Sequence, residues 1–199
     1  MNLVTVRILL ASNNPGKLSE LRSLLGGISE LELISPDEIG LSITIEESGI
    51  TYKENAVQKA KAFATASGLL SLADDSGLEV VALGGAPGLH SARTAPTAKE
   101  RRALLLSQLA DKPRPWLAVF RSTIALALPN SELHVVEGEC RGQISPEERG
   151  SGGFGYDPIF IVERTERTMA ELTMEEKNRL SHRARAIEKI KHVLLAIET

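Results

Sequence analysis

Hydrophobic and polar positions change their period several times along the chain, and each change predicts a new element. The apolar run at 6–11 predicts a strand, and leucines at helical spacing over 14–27 predict a helix that begins at Asn-Pro and closes at two glycines. A Thr-x-x-Glu capping pattern opens a second helix over 51–68. The apolar run 69–73 then predicts a buried strand, which ends at two aspartates followed by a Ser-Gly turn.

The second half of the chain predicts a hairpin between helices. Leucines at helical spacing follow Thr97, and two apolar runs separated by the turn PNSE predict a long hairpin over 116–140. The tail is predicted to be helical from Thr173, with an apolar stripe that reaches Ile197. Because βα units are mixed with a hairpin, the sheet is expected to be mixed.

Composition and charge limit the class of protein. With 42% hydrophobic and 25% charged residues, the chain is expected to form one globular domain over residues 1–199, or two small lobes without a linker. A net charge of -3 argues against binding to a nucleic acid polymer, so an anionic partner is expected to be small. The single Cys140 suits a reducing cytoplasm, and the sequence predicts no membrane span.

Aspartate is rare in this chain and is concentrated next to glycine. Three of the five aspartates, namely Asp74, Asp75 and Asp157, lie in two glycine-bearing segments. Adjacent carboxylates raise each other's pKa unless a cation lies beside them, so Asp74 and Asp75 indicate a Mg²⁺ site to which Glu46 and Glu47 can add a ligand. The simpler interpretation is that the two aspartates cap a turn.

The segment SNNPGK at 12–17 predicts an anion site at a helix N-terminus. Lys17 lies in the first helical turn, where it opposes the helix dipole, and a bound phosphate would remove that conflict. Asn13 and Asn14 add amide donors, and Lys59 on the second helix is a candidate second phosphate contact. The simpler interpretation is an ordinary helix cap.

Two further segments indicate recognition of a flat ring. GSGGFGYDPIF matches G-x-G-x-x-G, but no strand-helix unit frames it, so a dinucleotide fingerprint is rejected. Its glycines instead favour close approach of a ligand, with Phe154 as a stacking surface and Asp157 as an acceptor for ring N–H groups. Lys177, His182 and Arg183 are donors suited to the carbonyl oxygens of a base. The simpler interpretations are a core Phe in a loop and a solvated helix junction.

Five segments together resemble one known family. SNNPGK, EESGITYKENAVQKA, ADDSGLEVVALGGAPGLHSAR, GSGGFGYDPIF and AELTMEEKNRLSHR, in order from about residue 7 to about 190, are similar to the non-canonical purine nucleoside triphosphate pyrophosphatases. These are also called inosine triphosphate pyrophosphatases or XTP/dITP diphosphatases. The resemblance implies an α/β fold of two lobes on a long central mixed sheet flanked by helices, with the active site in the cleft between the lobes. It also implies a homodimer and Mg²⁺-dependent hydrolysis of ITP, dITP and XTP to the monophosphate and pyrophosphate.

The same resemblance implies a role for each matched residue. Asp75 would be the catalytic carboxylate and, with Glu46, a metal ligand. The other residues would bind substrate: Ser12, Asn13, Asn14, Pro15, Gly16, Lys17 and Lys59 at the triphosphate, Ser76 as a further contact, and Phe154, Gly155, Tyr156, Asp157, Lys177, His182 and Arg183 at the base.

The predicted base contacts also imply selectivity against adenine. Donors aimed at a 6-oxo group would remain unpaired against adenine, at a cost of about 1–3 kcal/mol per buried group.

Two rival hypotheses remain. A phosphatase with an aspartate nucleophile would also explain the two carboxylates, but it would release orthophosphate. A nucleotide sensor would bind without turnover, and the acidic cluster favours catalysis over this alternative.

Overall fold

The computed structural model describes residues 5–130 and 132–196, which form a sheet with helices packed on it. The strands are β1 (Val6–Leu10), β2 (Leu31–Ile34), β3 (Leu70–Val80), β4 (Pro87–Gly88), β5 (Leu117–Ala127), β6 (Leu133–Ile144) and β7 (Phe160–Val162). The helices are α1 (Pro15–Leu25), α2 (Tyr52–Ser67), α3 (Ala98–Leu109), α4 (Met174–Leu180) and α5 (His182–Ala196).

The sheet is mixed, as the sequence predicts. Its strand order is β2-β1-β3-β5-β6-β7, and β4 pairs with β3. Strand β1 runs parallel to β2 and β3, whereas β7 runs antiparallel to β6 and β4 antiparallel to β3. The predicted α/β fold on a central mixed sheet flanked by helices is therefore confirmed.

The described chain divides into two compact units. The first contains 5–75, 122–138 and 183–196, and the second contains 76–121 and 139–182. Strands β3, β5 and β6 each contribute residues to both units. The assignment of residues 1–199 to one domain stays a prediction.

In the first unit, helices cover both faces of the sheet. Leu21 of α1 and Ile187 of α5 share a core with Leu72 of β3, while Phe63 of α2 shares a second core with Ala73. Successive residues of a strand point to opposite faces, so adjacent positions of β3 enter different cores. This alternation decides where the next two side chains of β3, both carboxylates, are directed.

In the second unit, the core lies on one face of the strands. Leu105 of α3 belongs to this core together with Ala118 and Phe120 of β5. The intervening residues of β5, Leu117 and Val119, are exposed and partly exposed, respectively. The strand therefore keeps the alternation that is typical of a sheet with one open face.

The predicted helix starts are confirmed by their caps. Asn14 accepts a hydrogen bond from the backbone of α1, with Pro15 in the first turn, and Thr51 caps α2, which ends at the left-handed Gly68. Thr97 forms a full capping box with Glu100 at the start of α3. Local capping chemistry alone thus locates these helices.

The predicted end of β3 is wrong. The strand continues to Val80, so Ser76 and Gly77 lie inside it and form no turn. The extension is stabilised by tertiary contacts: Leu78 is in register with Gly88 of β4, and its backbone N–H donates to the Ser91 hydroxyl. Such pairing overrides the local turn preference of Ser-Gly.

The other predicted elements fit with smaller changes. The helical tail is interrupted at Ser181, whose extended backbone (ψ 156°) separates α4 from α5. The predicted hairpin corresponds to the neighbouring strands β5 and β6; Ser131 of its turn, like Ile197 of the tail stripe, lies outside the described residues. None of the helices in the described part of the chain has the length and apolar character needed to cross a membrane.

Candidate active site

The predicted site residues form two groups, one in each unit. In the first group, the segment 12–17 connects the end of β1 to the start of α1. The backbone N–H of Lys17 donates to Asn14 Oδ1 at 3.2 Å, and that of Asn14 donates to Ser12 Oγ at 3.2 Å. Asn13, Asn14 and Pro15 are exposed. The capping interpretation is therefore correct, and the segment remains accessible to an anion at a helix N-terminus.

Two lysines of this group converge on one carbonyl. Lys17 Nζ and Lys59 Nζ donate to the backbone oxygen of Asp74 at 3.1 and 3.0 Å. Burial lowers the pKa of Lys17, the neighbouring cations Lys59 and Arg183 lower it further, and Asp74 opposes them. For Lys59, burial is outweighed by Asp75 and Glu47, which raise its pKa. Positive charge is thus concentrated next to the predicted phosphate segment.

Asp74 is buried in a dense set of donors. Its carboxylate accepts from Ser122 Oγ at 2.5 Å and from Arg183 at 2.9 Å, and it lies 2.9 Å from Lys17 Nζ. Burial alone would raise the pKa of Asp74, but Arg183, Lys17 and the Ser122 hydrogen bond hold it well below its usual range. Asp74 is therefore ionised at neutral pH and acts as a structural anchor.

Asp75 has a different environment, because it points to the other face of β3. Within the described chain its hydrogen bonds are long, 3.2 Å from Asn55 Nδ2 and 3.3 Å from Lys59 Nζ. Burial raises the pKa of Asp75, with Lys59 and Lys17 opposing the shift. The two adjacent carboxylates thus have opposite pKa shifts, one suited to structure and one to chemistry.

Glu46 and Glu47 have different surroundings. Glu47 Oε1 lies 2.7 Å from Lys59 Nζ, whereas the side chain of Glu46 is on the exposed side of the segment. Buried Asn55 connects the segment to the aspartates, since it accepts from the Gly49 backbone N–H at 2.9 Å and donates to Asp75. The structure therefore brings Glu47, rather than Glu46, into contact with the lysine that also touches Asp75.

The donor set fits a magnesium ion that is bound together with a phosphate. Among the described residues, no cluster of three or more His, Cys, Asp or Glu side chains is arranged to hold a metal. Mg²⁺ commonly takes only one or two carboxylates from a protein and completes its octahedron with water and substrate phosphates. Asp75, a carboxylate with long hydrogen bonds, is suited to that arrangement.

The second group is built around Asp157. Its Oδ2 accepts from the backbone N–H of Phe154 at 2.8 Å and lies 2.5 Å from Lys177 Nζ, which is 5.4 Å from the centre of the Phe154 ring. Gly153 has φ +69°, and a Cβ there would lie 2.0 Å from Asp157 Oδ2. The glycine is therefore required for the contact between the loop and the buried ion pair.

Other residues hold the glycine loop and His182 in place. Arg102 of α3 donates to the Gly155 carbonyl at 2.8 Å, and the Tyr156 hydroxyl donates to the Ser91 carbonyl at 3.0 Å. The ring of His182 stacks on Phe120, with centres 4.8 Å apart and an angle of 13°. The base-binding residues predicted from sequence thus have fixed orientations, which selective recognition needs.

Two further predicted substrate residues are Arg183 and Ser76. Arg183 belongs to the first unit, where it pairs with Asp74 and with Glu20, rather than to the set around Lys177. Ser76, partly buried, is the residue of β3 that follows Asp75 and belongs to the second unit. Their roles toward substrate stay predictions.

Sequence reasoning missed four residues that position the others: Glu20, Asn55, Arg102 and Ser122. Glu20 had a detectable signal, because it lies next to Leu21 on the apolar side of α1, where an unpaired acid is costly. The inward direction of Glu47, which was already a candidate ligand, also has a sequence signal: Ile43 and Ile45 alternate inward, and Glu47 continues their period of two.

Comparison with known proteins shows the family of this chain. The sequence profile of the Ham1 family matches residues 8–193. The dITP/XTP pyrophosphatase of Desulforamulus reducens is 46% identical over 95% of this chain and 96% of its own. That of Bacillus subtilis is 42% identical over 98% of this chain and its full length. The chain therefore belongs to the Ham1 family, which confirms the resemblance found in the sequence.

Solved structures of the family share the fold. The Staphylococcus aureus Ham1 protein has a TM-score of 0.84 at 36% identity, covering 96% of this chain and 100% of its own. A HAM1 protein from Coxiella burnetii has a TM-score of 0.84 at 41% identity, covering 96% and 99%. The similarity covers nearly the whole length of this chain and of each solved structure.

Proposed function

We propose that this protein is a Mg²⁺-dependent nucleoside triphosphate pyrophosphatase. It hydrolyses dITP, XTP and ITP to the monophosphate and pyrophosphate, and so removes non-canonical purines from the nucleotide pool. The relatives at 46% and 42% identity are dITP/XTP pyrophosphatases by name, and the matches cover nearly the whole chain. These relatives support the enzyme class and the nucleotide class. Magnesium and ITP are inferred here from the donor set and from the resemblance.

One observation carries the catalytic assignment. Asp75 is a buried carboxylate with long hydrogen bonds and a raised pKa, whereas its neighbour Asp74 is fully committed to Arg183, Lys17 and Ser122. A carboxylate of this kind is suited to accept a proton from an attacking water. Asp75 is therefore the proposed catalytic residue, and Asp74 is the residue that positions the lysines around it.

The first unit supplies the charge that a triphosphate needs. Lys17 and Lys59 present ammonium groups, and residues 12–17 present backbone N–H groups at the start of α1. These donors stabilise the negative charge that moves to the departing pyrophosphate. Asp75 and a glutamate would hold Mg²⁺, which would neutralise further charge on the triphosphate.

The glutamate ligand can be identified with two isosteric variants. Glu46 is the ligand that the resemblance implies, and Glu47 is held by Lys59. Glu46→Gln should raise the Mg²⁺ concentration needed for half-maximal activity, and Glu47→Gln should leave that concentration nearly unchanged. The opposite pattern would assign the ligand to Glu47.

The second unit supplies recognition of the base. Phe154 offers a ring for stacking, and Lys177 beside Asp157 is a charged donor suited to a carbonyl oxygen at position 6 of the purine. Adenine carries an amino group at that position, so buried donors would lose their partner with ATP. Discrimination against ATP is the expected consequence.

Turnover of ITP, XTP, dITP, GTP and ATP with Mg²⁺, measuring pyrophosphate and orthophosphate separately, tests the proposal. Wild type should release pyrophosphate from ITP, XTP and dITP and little from ATP or GTP. Asp75→Asn should lower kcat by at least about a hundredfold, as expected for loss of a general base. The exposed Asp111→Asn is the matched control and should retain activity.

The rival hypotheses give different products. Orthophosphate without pyrophosphate would replace the proposal with a phosphatase that uses an aspartate nucleophile. Tight binding of an oxo-purine nucleotide without any product would replace it with a nucleotide sensor. Homodimer formation and a cytoplasmic location stay predictions.

A further inference from the structure

One turn of α2 carries two polar side chains that bridge the same two parts of the first unit. Asn55 and Lys59 are four residues apart, so they lie on one face of the helix. Asn55 contacts the Gly49 backbone and the Asp75 carboxylate. Lys59 contacts the Glu47 carboxylate and the same carboxylate of Asp75. Helix α2 therefore joins Asp75 at two points to the short segment that carries both glutamates.

The two bridging side chains reach different oxygens of Asp75. Asn55 Nδ2 donates to Oδ2 at 3.2 Å, and Lys59 Nζ donates to Oδ1 at 3.3 Å. The terminal torsion of an aspartate side chain is otherwise broad, so one donor on each oxygen restricts the plane of the carboxylate. These two contacts thus set the direction in which Asp75 presents its remaining lone pairs.

Asn55 is fully engaged in this bridge, because both polar atoms of its amide take part. Its Oδ1 accepts from the Gly49 N–H at 2.9 Å while its Nδ2 donates to Asp75, and the residue is 1% exposed. The partners fix the orientation of the amide, since a backbone N–H donates and a carboxylate accepts. A short amide supplies the one acceptor and the one donor that this position requires.

The backbone of the glutamate-bearing segment approaches Asn55 closely at Gly49. A Cβ at residue 49 would lie 2.6 Å from Asn55 Oδ1 and 2.7 Å from Glu54 Cβ. At these distances a side chain at residue 49 would displace either the amide or the segment. The glycine is therefore matched to the hydrogen bond that Asn55 accepts.

Lys59 differs from Asn55 in carrying a charge that a substrate phosphate also attracts. Its ammonium group already donates to the Asp74 carbonyl at 3.0 Å, and a triphosphate would be a further acceptor. Asn55 is neutral and uses its amide on protein partners. It is therefore the contact suited to keep Asp75 oriented while a phosphate engages Lys59.

We propose that Asn55 is a positioning residue, which orients the Asp75 carboxylate and fixes its separation from the segment that carries Glu46 and Glu47. A catalytic base is effective when a further group orients it, and a displacement of about 1 Å can cost roughly a hundredfold in rate. The inference rests on the proposed function, because it takes Asp75 as the residue that accepts the proton from water.

Steady-state and single-turnover hydrolysis of ITP by Asn55→Ala at saturating Mg²⁺ tests the proposal. The value of kcat should fall roughly ten- to hundredfold while KM changes less than about twofold, because the substrate contacts remain. The single-turnover rate should fall by the same factor, which assigns the loss to the chemical step.

Gln58→Ala is the matched control for loss of an amide from α2. Gln58 is exposed and donates to the Glu46 carbonyl at 3.0 Å rather than to Asp75. Its removal should leave kcat within about threefold of wild type, as expected for one exposed hydrogen bond. Equal losses of kcat in Gln58→Ala and Asn55→Ala would overturn the role assigned to the Asp75 contact.

Asn55→Asp separates the two hydrogen bonds of the bridge. This variant keeps an acceptor for the Gly49 N–H but faces Asp75 with a second carboxylate instead of a donor. Its kcat should be at least as low as that of Asn55→Ala. A kcat near the wild-type value would assign the whole effect to the Gly49 contact and would overturn the proposal.

Circular dichroism and thermal unfolding check that each variant is folded. If Asn55→Ala does not fold, Gly49→Ala decides, since a Cβ there displaces the same bridge and should lower kcat with little change in KM. A folded Asn55→Ala enzyme with unchanged kcat, or one in which only KM rises, overturns the positioning role and leaves the proposed function standing. A wild type that releases no pyrophosphate from ITP overturns the proposed function and this inference with it.

Discussion

Arg183 and Asp74, 109 residues apart in the chain, form a buried ion pair with 2.9 Å between the guanidinium nitrogen and the carboxylate oxygen. Arg183 also pairs with Glu20 of α1, so one guanidinium joins the first and last helices of the first unit to β3. Both partners of the pair are almost fully buried. Breaking a buried pair from one side leaves an uncompensated charge.

We therefore expect Arg183→Met to lower the free energy of unfolding by about 3–5 kcal/mol, because the buried carboxylates of Glu20 and Asp74 lose the cation that they share. Urea denaturation measures this change. Lys53→Met, at an exposed position on α2, is the control and should cost less than about 0.5 kcal/mol. Equal effects of the two substitutions would contradict a structural role for the pair.

Acidification should weaken the fold through Asp74. Its folded-state pKa lies well below the ordinary 3.8, so its contribution to stability is complete above pH 3.8 and is lost as the pH falls through the lower folded-state value. The stability difference between wild type and Asp74→Asn, measured by urea denaturation from pH 7 downward, should be constant to about pH 5 and narrow below pH 4. A stability difference that widens on acidification would contradict a lowered pKa for Asp74.

Alanine substitutions at two glycines of the same loop distinguish the cost of backbone strain from the cost of a steric clash. Gly153 and Gly155 both have positive φ, +69° and +61°, but only at Gly153 would a Cβ meet the Asp157 carboxylate. Gly155→Ala should cost about 1 kcal/mol of stability from its left-handed backbone. Gly153→Ala should cost a further ~1–3 kcal/mol from overpacking. Thermal unfolding compares them, and a larger loss at Gly155 would contradict the clash.

Gly153→Ala should also raise KM for an oxo-purine nucleotide more than Gly155→Ala does. The reason is that the clash displaces Asp157 from Lys177, the proposed base contact. Steady-state kinetics with ITP provides this second readout. An unchanged KM in both variants would show that the loop does not contribute to base recognition.

Arg102 should act on the base-binding loop through the Gly155 carbonyl, to which it donates at 2.8 Å. Arg102→Met should raise KM for ITP roughly three- to tenfold with little change in kcat, since it removes one charged hydrogen bond that positions the loop. Arg102→Lys should restore part of the loss. Lys99→Met, exposed on the same helix, is the control, and a fall in kcat at constant KM would contradict the positioning role.

Local signals account for the parts of the fold that the sequence predicts well. The caps at Asn14, Thr51 and Thr97 are satisfied within a few residues, so the starts of three helices follow from short patterns. The extension of β3 through Ser76 and Gly77 depends on pairing with β4, which no local pattern contains. Tertiary pairing thus decides where local preference is weak.

The candidate site also combines residues that local patterns indicate with residues that only the tertiary structure reveals. Asp75 and Lys17 are predicted from short motifs, because their chemistry is unusual at those positions, and Lys59 is predicted from the resemblance. The partner of Glu20 is not found in this way, since Arg183 is 163 residues away. The pKa values of Asp74 and Asp75 shift in opposite directions because both residues lie in one strand, where adjacent side chains enter different surroundings. This placement is known only from the structure.

Lys17 and Lys59 share the main-chain oxygen of Asp74 as an acceptor. Every amino acid contributes a peptide carbonyl at that position, so no substitution at residue 74 removes this acceptor. Protonation of the neighbouring carboxylates leaves it in place as well. This shared acceptor is therefore encoded in the backbone path of β3, and it persists both after mutation of residue 74 and in acid.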